Sequence, residues 1–260
     1  MAVHFHSKKI PLAYTTRDVD PGWEKMLLSR IEVQGKNILD MGCGGGIYTK
    51  ALAHLGGKAV TGLDFSKEML HTAEIYCGNE TNVNFVLGDA NKTSLPSNQF
   101  DIILNRAVIH HLKNLPVFFS EVFRLLKPGG IAIVQDRTLE DCLLPGDSHH
   151  LGGYFFELFP TLISFERNRR PLNETVTKQL YYAGFSEIES TSFWETKKYY
   201  YSLADLERDL TARTGRAILD ELNDAEVKKL TKYISKQLTK STHAASIEEK
   251  DRWTIWIAKK

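Results

Sequence analysis

Cysteine is scarce in this chain. Cys43, Cys77 and Cys142 are its three, an odd number with no pair at metal-ligand spacing, which argues against a disulfide framework or a structural zinc. Charge of one sign is also missing. Thirty-three Lys and Arg against 32 Asp and Glu leave +1, too little for a dominant electrostatic grip on nucleic acid or an acidic membrane. No apolar run approaches the ~18 residues that a bilayer demands, and the first ten residues hold no signal-peptide stretch. Repeats and low-complexity tracts are absent. What is present is ordinary: 42% hydrophobic and 25% charged residues over 260 positions. That excludes disordered, collagen-like and coiled-coil chains, and the length allows one large domain or two small ones. A soluble protein of a reducing, cytoplasmic compartment is expected.

From Lys36 to Asp136 short apolar runs alternate with helical patterns. Asn37–Asp40 reads as a buried strand ending at a carboxylate, followed by the loop Gly42-Cys-Gly-Gly-Gly46 and a helix that Gly56-Gly57 stops. Ala59–Leu63 is a second strand ending at Asp64. Ser66 then caps a helix whose apolar face is Met69, Leu70 and Ala73. Val83–Leu87 and Phe100–Leu104 are further strands, ending at Asp89 and Asn105. A helix is expected from about Pro116 to Leu126, broken by Lys127-Pro-Gly-Gly130 before a fifth strand at Ile131–Val134. This alternation predicts an α/β fold with a mostly parallel sheet and helices on both faces.

Beyond Asp136 the rhythm loosens. A helix is expected over 173–183, a strand over 186–194, helical periodicity over 202–240 and a last strand near 251–260. Leu203, Leu206 and Leu210 share one face, Val227, Leu230, Ile234 and Leu238 another, and Asn223 with Glu226 has the pattern of a capping box.

A glycine-rich turn between strand and helix lets backbone N–H groups approach a ligand closely. The dinucleotide pattern G-x-G-x-x-G is one reading, with Asp64 at a workable distance, but Ile47 occupies its third glycine position. Asp40 beside the loop also suits a cationic ligand better than a pyrophosphate.

Taken together, Ile38-Leu-Asp-Met-Gly-Cys-Gly-Gly-Gly46, Gly62-Leu-Asp-Phe-Ser66 with Met69-Leu70, Leu87-Gly-Asp-Ala90, Phe100-Asp-Ile-Ile103, His110-His-Leu112 and Leu126-Lys-Pro-Gly-Gly130 resemble the class I S-adenosylmethionine-dependent methyltransferases, in particular the type 11 group. The resemblance covers residues 36–136. It implies a Rossmann-like, doubly wound seven-stranded sheet with an antiparallel last strand at 251–260. The whole chain would be one methyltransferase domain, with an N-terminal cap and first helix over 1–30 and acceptor-side and helical lid segments over 140–168 and 196–248.

It also implies roles. Gly42, Cys43 and Gly44, within the loop to Gly46, would pass against the methionyl part of S-adenosyl-L-methionine, and Asp40 would orient its amino group. Asp64 would accept from both ribose hydroxyls. Phe65 and Met69 would sandwich the adenine, Asp89 would accept from its amino group, and the Ala90 N–H would serve a ring nitrogen. The Asn105 carbonyl would face the ammonium group. Tyr14, with Arg17 and Trp23 nearby, would touch the methionyl end. For Phe65 and Met69 ordinary core, for Asp40 a helix-terminal charge, and for Tyr14 helix packing are the competing readings.

His110 and His111, after the fourth strand, are the candidate catalytic bases, with a structural role as the alternative. His149 and His150 lie where acceptor pockets form in this family. Arg213 and Arg216 are either an anion site for the acceptor or surface charges. The aromatics at 154–159, Trp194 and Tyr199–Tyr201 either line a pocket or fill a core. No Asn-Pro-Pro-Tyr motif follows the fourth strand, which disfavours adenine, cytosine and glutamine as acceptors. The expected activity is methyl transfer to a small organic acceptor, at oxygen in preference. A tRNA or protein acceptor, served by the lysine face 229, 232, 236 and 240, and a non-catalytic module binding the cofactor or S-adenosyl-L-homocysteine are the alternatives. No metal, no membrane partner, no nucleic acid and a monomer or homodimer are expected.

Overall fold

A computed structural model describes residues 19–241 and 246–260; Tyr14 and Arg17 lie outside the described residues. The chain forms two compact units. One holds the described chain up to Asp136 with Asn173–Thr191 and Ile255–Lys260, and the other Arg137–Leu172 with Ser192–Thr254.

The first unit begins with α1 (Pro21–Leu28), capped by Asp20, whose carboxylate accepts from the Gly22 N–H. It ends at Leu28 with Ser29 as its C-cap, inside the 1–30 expected for the cap and first helix. Then come β1 (Asn37–Met41), α2 (Ile47–His54), β2 (Ala59–Asp64), α3 (Lys67–Cys77), β3 (Val83–Leu87), β4 (Phe100–Arg106), α4 (Leu115–Leu125) and β5 (Leu126–Asp136). These five strands pair in parallel. With β6 (Ser186–Tyr200) and β7 (Ile247–Lys259) they form a sheet of order β3-β2-β1-β4-β5-β7-β6, in which β7 is antiparallel. The reversal of strand order between β1 and β4 is the topological switch point of such sheets, where ligands meet the carboxyl ends of the strands.

Local chemistry explains the boundaries. Gly46 caps α2 at φ 83°, a left-handed conformation that costs glycine little, and a Cβ there would stand 3.2 Å from the Ala73 backbone. The Ser66 hydroxyl accepts from the Met69 N–H at 3.3 Å and starts α3. In α4 Phe118, Phe119, Val122 and Leu125 are all buried on one stripe, each worth about 1.5–3 kcal/mol of apolar burial. The Lys127–Gly130 stretch, expected as a loop, lies inside β5. Leu126 already pairs with Phe100, and the register shift before Ile131 meets Ile102 accommodates the extra residues, with Gly129 at φ 77°.

In the second unit α5 (Leu139–Cys142), α6 (Gly153–Leu158) and α7 (Leu162–Arg167) come from the loosely patterned stretch, and α9 (Leu203–Thr211) and α10 (Asp224–Ser241) from the helical one; α8 (Asn173–Tyr182) returns to the first unit. Leu206, Leu210, Val227, Leu230, Ile234 and Leu238 pack with Tyr154, Phe155 and Tyr200 in its core. Those three aromatics therefore serve as core, whereas Trp194, Tyr199 and Tyr201 are exposed. The Asn223–Glu226 capping box forms as expected.

Arg213 and Arg216 are neither a site for an acceptor anion nor plain surface charges. Arg213 donates to the Leu219 carbonyl and the Asp224 carboxylate. Arg216 is buried, with its guanidinium on Asp209, Glu249 and the Tyr200 hydroxyl. Asp209 and Glu249 also accept from the Tyr200 hydroxyl, so this charge ties together one buried network and is a structural keystone of the unit.

Candidate functional site

The loop after β1 folds back onto the tip of β2. Gly42 and Cys43 donate their N–H groups to the Leu63 carbonyl at 2.7 and 3.0 Å. Gly42 has φ 86°, and a Cβ there would lie 2.3 Å from a Val108 methyl, so neither a left-handed backbone nor the close packing tolerates a side chain. Gly44 donates to Asp64 Oδ2 at 2.9 Å, while Ser66 donates to Asp64 Oδ1 at 2.9 Å. Backbone N–H groups on both oxygens fix the plane of the carboxylate. Burial pushes the Asp64 carboxyl upward, and the N–H groups of Ser66, Gly44 and Phe65 pull against that shift.

Asp40 lies deeper, 2% exposed. Its Oδ2 accepts from the Thr49 hydroxyl at 2.6 Å. Burial pushes its carboxyl up to about 7; the Thr49 hydroxyl and Arg106 lower it, and the Asp64 charge raises it further. An acidic group poised there changes its ionisation when a cation arrives.

The remaining sequence candidates divide. Met69 is buried beside Gly44, its methyl 3.3 Å from where a Gly44 Cβ would be, whereas Phe65 is 57% exposed at the mouth of the same turn. Asp89 is an exposed residue whose Oδ1 already accepts from the Asn91 N–H at 2.8 Å and from its side-chain amide; Ala90 is half-buried beside it. Asn105 is 1% exposed; its amide donates to the Met41 carbonyl at 2.9 Å, and its Oδ1 finds no donor among the described residues. Cys43 is buried, with its thiol pushed well up by burial and by Asp40 and Asp64, which makes it an inert packing group.

His110 and His111 occupy a 3₁₀ turn after β4. The His110 Nδ1 lies 2.8 Å from both oxygens of Asp136, whose Oδ2 also accepts the His110 backbone N–H at 3.3 Å. Asp136 is fully buried and the His110 side chain nearly so. A carboxylate on Nδ1 keeps the hydrogen there, so Nε2 is the basic nitrogen of the ring. His111 is exposed and tilted against His110, ring centroids 3.9 Å apart.

His149 and His150 belong to the second unit. His150 is fully buried against Trp194 with its Nδ1 on the Pro145 carbonyl, and burial followed by the Arg137 charge holds it below the ordinary histidine range. Among the described residues no cluster of three or more His, Cys, Asp or Glu is placed to hold a metal ion. No helix among them is long and apolar enough to cross a membrane.

Three partners escaped the sequence reading. Asp136 was legible only as a strand-ending carboxylate, the same signal that marked Asp40 and Asp64. Thr49 and Arg106 had none beyond a polar residue at an element's tip. Sheet alternation sorts them: pairing of Asp40 with Leu104 and of Arg106 with Gln135 puts Asp40, Arg106 and Gln135 on one face of the sheet. Asn105 and Asp136 fall on the other.

Residues 39–134 match the family described as Methyltransferase domain. That stretch of the chain is a class I S-adenosylmethionine-dependent methyltransferase domain. Two curated relatives that match this domain show how varied such proteins are. A sterol 24-C-methyltransferase of Gibberella zeae is 34% identical over 110 residues, covering 41% of this chain and 29% of that protein. A ubiquinone biosynthesis O-methyltransferase of Pseudomonas putida is 32% identical over 116 residues, covering 44% and 49%. The match thus spans less than half of either relative's length. The solved structure of Haemonchus contortus phosphoethanolamine N-methyltransferase 2 in complex with S-adenosyl-L-methionine superposes with TM-score 0.61 at 20% identity, covering 98% of this chain and 57% of that one. At that identity the likeness shows the fold. Carbon, oxygen and nitrogen all figure in the names of these three proteins, so the match does not fix the atom methylated.

Proposed function

We propose that this methyltransferase moves the methyl group of S-adenosyl-L-methionine onto an ionisable heteroatom, oxygen in preference, of a small organic acceptor. The observation that carries the reading is His110 held on Asp136 at the carboxyl tips of β4 and β5. A base clamped in one tautomer is what an acceptor hydroxyl or amine requires and what a carboxylate acceptor would not.

The cofactor residues fit their ligand. Asp64 presents a carboxylate of fixed plane to a ribose diol, the bare Gly42–Gly44 backbone admits close approach, and the buried Asp40 suits an ammonium group. Phe65 and Met69 offer apolar surface to the adenine on either side of that turn, with Asp89 and Ala90 at its edge. When bound, the sulfonium supplies an already activated methyl group. The chain's own task is to align the acceptor, exclude water and take a proton. Alignment can supply up to ~7–11 kcal/mol, and His110 Nε2, accepting the acceptor's proton, a further ~10²–10⁴-fold. Asp136 then stabilises the imidazolium. His111, exposed and tilted against His110, is the second histidine beside the acceptor in this reading.

The test is a labelled methyl-transfer screen against phenols, aliphatic alcohols, amines, carboxylic acids and bulk tRNA, run on wild type and His110→Asn. Transfer to a hydroxyl or amine that falls at least ~10²-fold in the variant, with cofactor affinity unchanged, is expected. Transfer to carboxylates or tRNA alone, or transfer indifferent to His110, contradicts the reading.

A further inference from the structure

Arg106 is an unusual residue for the end of a buried strand. It follows the run Phe100–Asn105, is 9% exposed, and its guanidinium lies 4.2 Å over the Tyr48 ring in the first turn of α2, two residues past Gly46. Burying such a cation costs several kcal/mol unless it is compensated. The surroundings are built to hold it in place. Tyr48 meets Trp23 edge-on at 4.8 Å, and the Trp23 indole N–H donates to Gln135 Oε1 at 2.7 Å. Gln135 is the neighbour of Arg106 in the sheet register. Asp40 stands on the same sheet face one strand away, close enough for the two charges to act on each other.

We propose that Arg106 anchors the carboxylate of the cofactor's methionyl group, so that Arg106 and Asp40 form a clamp of opposite signs for an α-amino-acid head. This rests on the cofactor reading above and goes beyond it by naming the carboxylate's partner. One guanidinium and one carboxylate, on the same face at the carboxyl ends of the adjacent strands β4 and β1, complement a zwitterion in sign. A planar guanidinium pairs with a carboxylate through two parallel N–H donors, which a lysine cannot match. The Tyr48 face fixes the plane of the fork before the ligand arrives, so little rotamer freedom is lost on binding. The glycine loop between β1 and α2 leaves the backbone beside this clamp bare.

Calorimetric titration with S-adenosyl-L-methionine and with its decarboxylated analogue separates the possibilities. The two ligands share the sulfonium, the ammonium and the adenosine, so changes at Asp40 or Asp64 cancel in their ratio. Wild type should prefer the carboxylated ligand by roughly 30-fold or more, the scale of one buried charge pair. In Arg106→Met that preference should collapse to within about threefold while affinity for the decarboxylated analogue persists; in Arg106→Lys it should be intermediate. An undiminished preference in Arg106→Met overturns the proposal and leaves the cofactor reading standing. If the Met protein does not melt cooperatively, Arg106→Lys decides, a full preference overturning the assignment and a reduced one supporting it. Failure of wild type to bind either ligand removes the cofactor reading and this inference together.

Discussion

Changing Asp40 to Asn should abolish a pH dependence of cofactor binding that the wild type displays near neutrality. In the unliganded chain the Asp40 carboxyl is pushed up to about 7, chiefly by burial. About 9% of it is then ionised at pH 6 and about 76% at pH 7.5. A ligand ammonium that recognises the ionised form should bind about eightfold more tightly at the higher pH, ~1.3 kcal/mol. Calorimetry with S-adenosyl-L-homocysteine in buffers of different ionisation enthalpy measures both that slope and the proton released on binding. Asp64, Arg106, Thr49, Cys43 and Cys77 face Asp40 and remain in the variant, so whatever slope they contribute survives there. A flat wild-type affinity between pH 6 and 7.5, or an equal slope in Asp40→Asn, refutes the reasoning. The same shift has a consequence for stability. Because the folded pKa lies above the unfolded 3.8, the folded chain holds a proton that the unfolded chain has lost between those values. Stability therefore falls as pH rises from about 4 to about 7 and is level above. Unliganded Asp40→Asn escapes that loss and should melt higher than wild type at pH 8, by up to ~4 kcal/mol in free energy, even as it binds cofactor more weakly.

Asp136→Asn should lower the turnover number by ~10²–10³ with little change in cofactor affinity, since the amide cannot stabilise the imidazolium of His110; a change confined to KM would contradict the assigned role. Gly42→Ala combines a left-handed backbone at φ 86° with a Cβ 2.3 Å from Val108 and should both destabilise the first unit by about 1–3 kcal/mol and weaken cofactor binding; denaturant titration and calorimetry read the two effects. Arg216→Met should cost the second unit about 3–5 kcal/mol, because it leaves Asp209 and Glu249 buried without their shared cation. Burial works against ionising those two acids, but Lys198, Lys197 and Arg216 outweigh it and hold both below the usual carboxylate range. Their contribution is therefore complete at neutral pH and fades as acid carries the pH down through their folded values, so the gap between wild type and variant should narrow in acid.

Much of the first unit was legible because its strands hold short apolar runs with polar residues at or near their tips and Ser66 marks the start of α3. Ser66 capping Met69, and Asp40 and Asp64 at strand tips, were visible for that reason. Partnerships across the sheet were not. That Asp136 holds His110, or that Arg106 lies over Tyr48, depends on register between elements 26 and 58 residues apart in the chain, and periodicity holds no record of register. The second unit was harder for a related reason. Arg216 looked like a loop charge because the three groups that neutralise it come from α9, β6 and β7. The stretch Lys127–Gly130 carries strong turn residues, yet pairing of Leu126 with Phe100 draws it into β5, a case of tertiary context overriding local preference.

Titration of S-adenosyl-L-methionine into wild type and Asp64→Ala is the most direct measurement of whether these strand tips hold the cofactor. Saturable binding by wild type, weakened about 30-fold or more when the two charge-assisted ribose contacts are removed, is the expected result. Wild-type protein that leaves the nucleoside unbound, or Asp64→Ala that binds it undiminished, would contradict the account at its root.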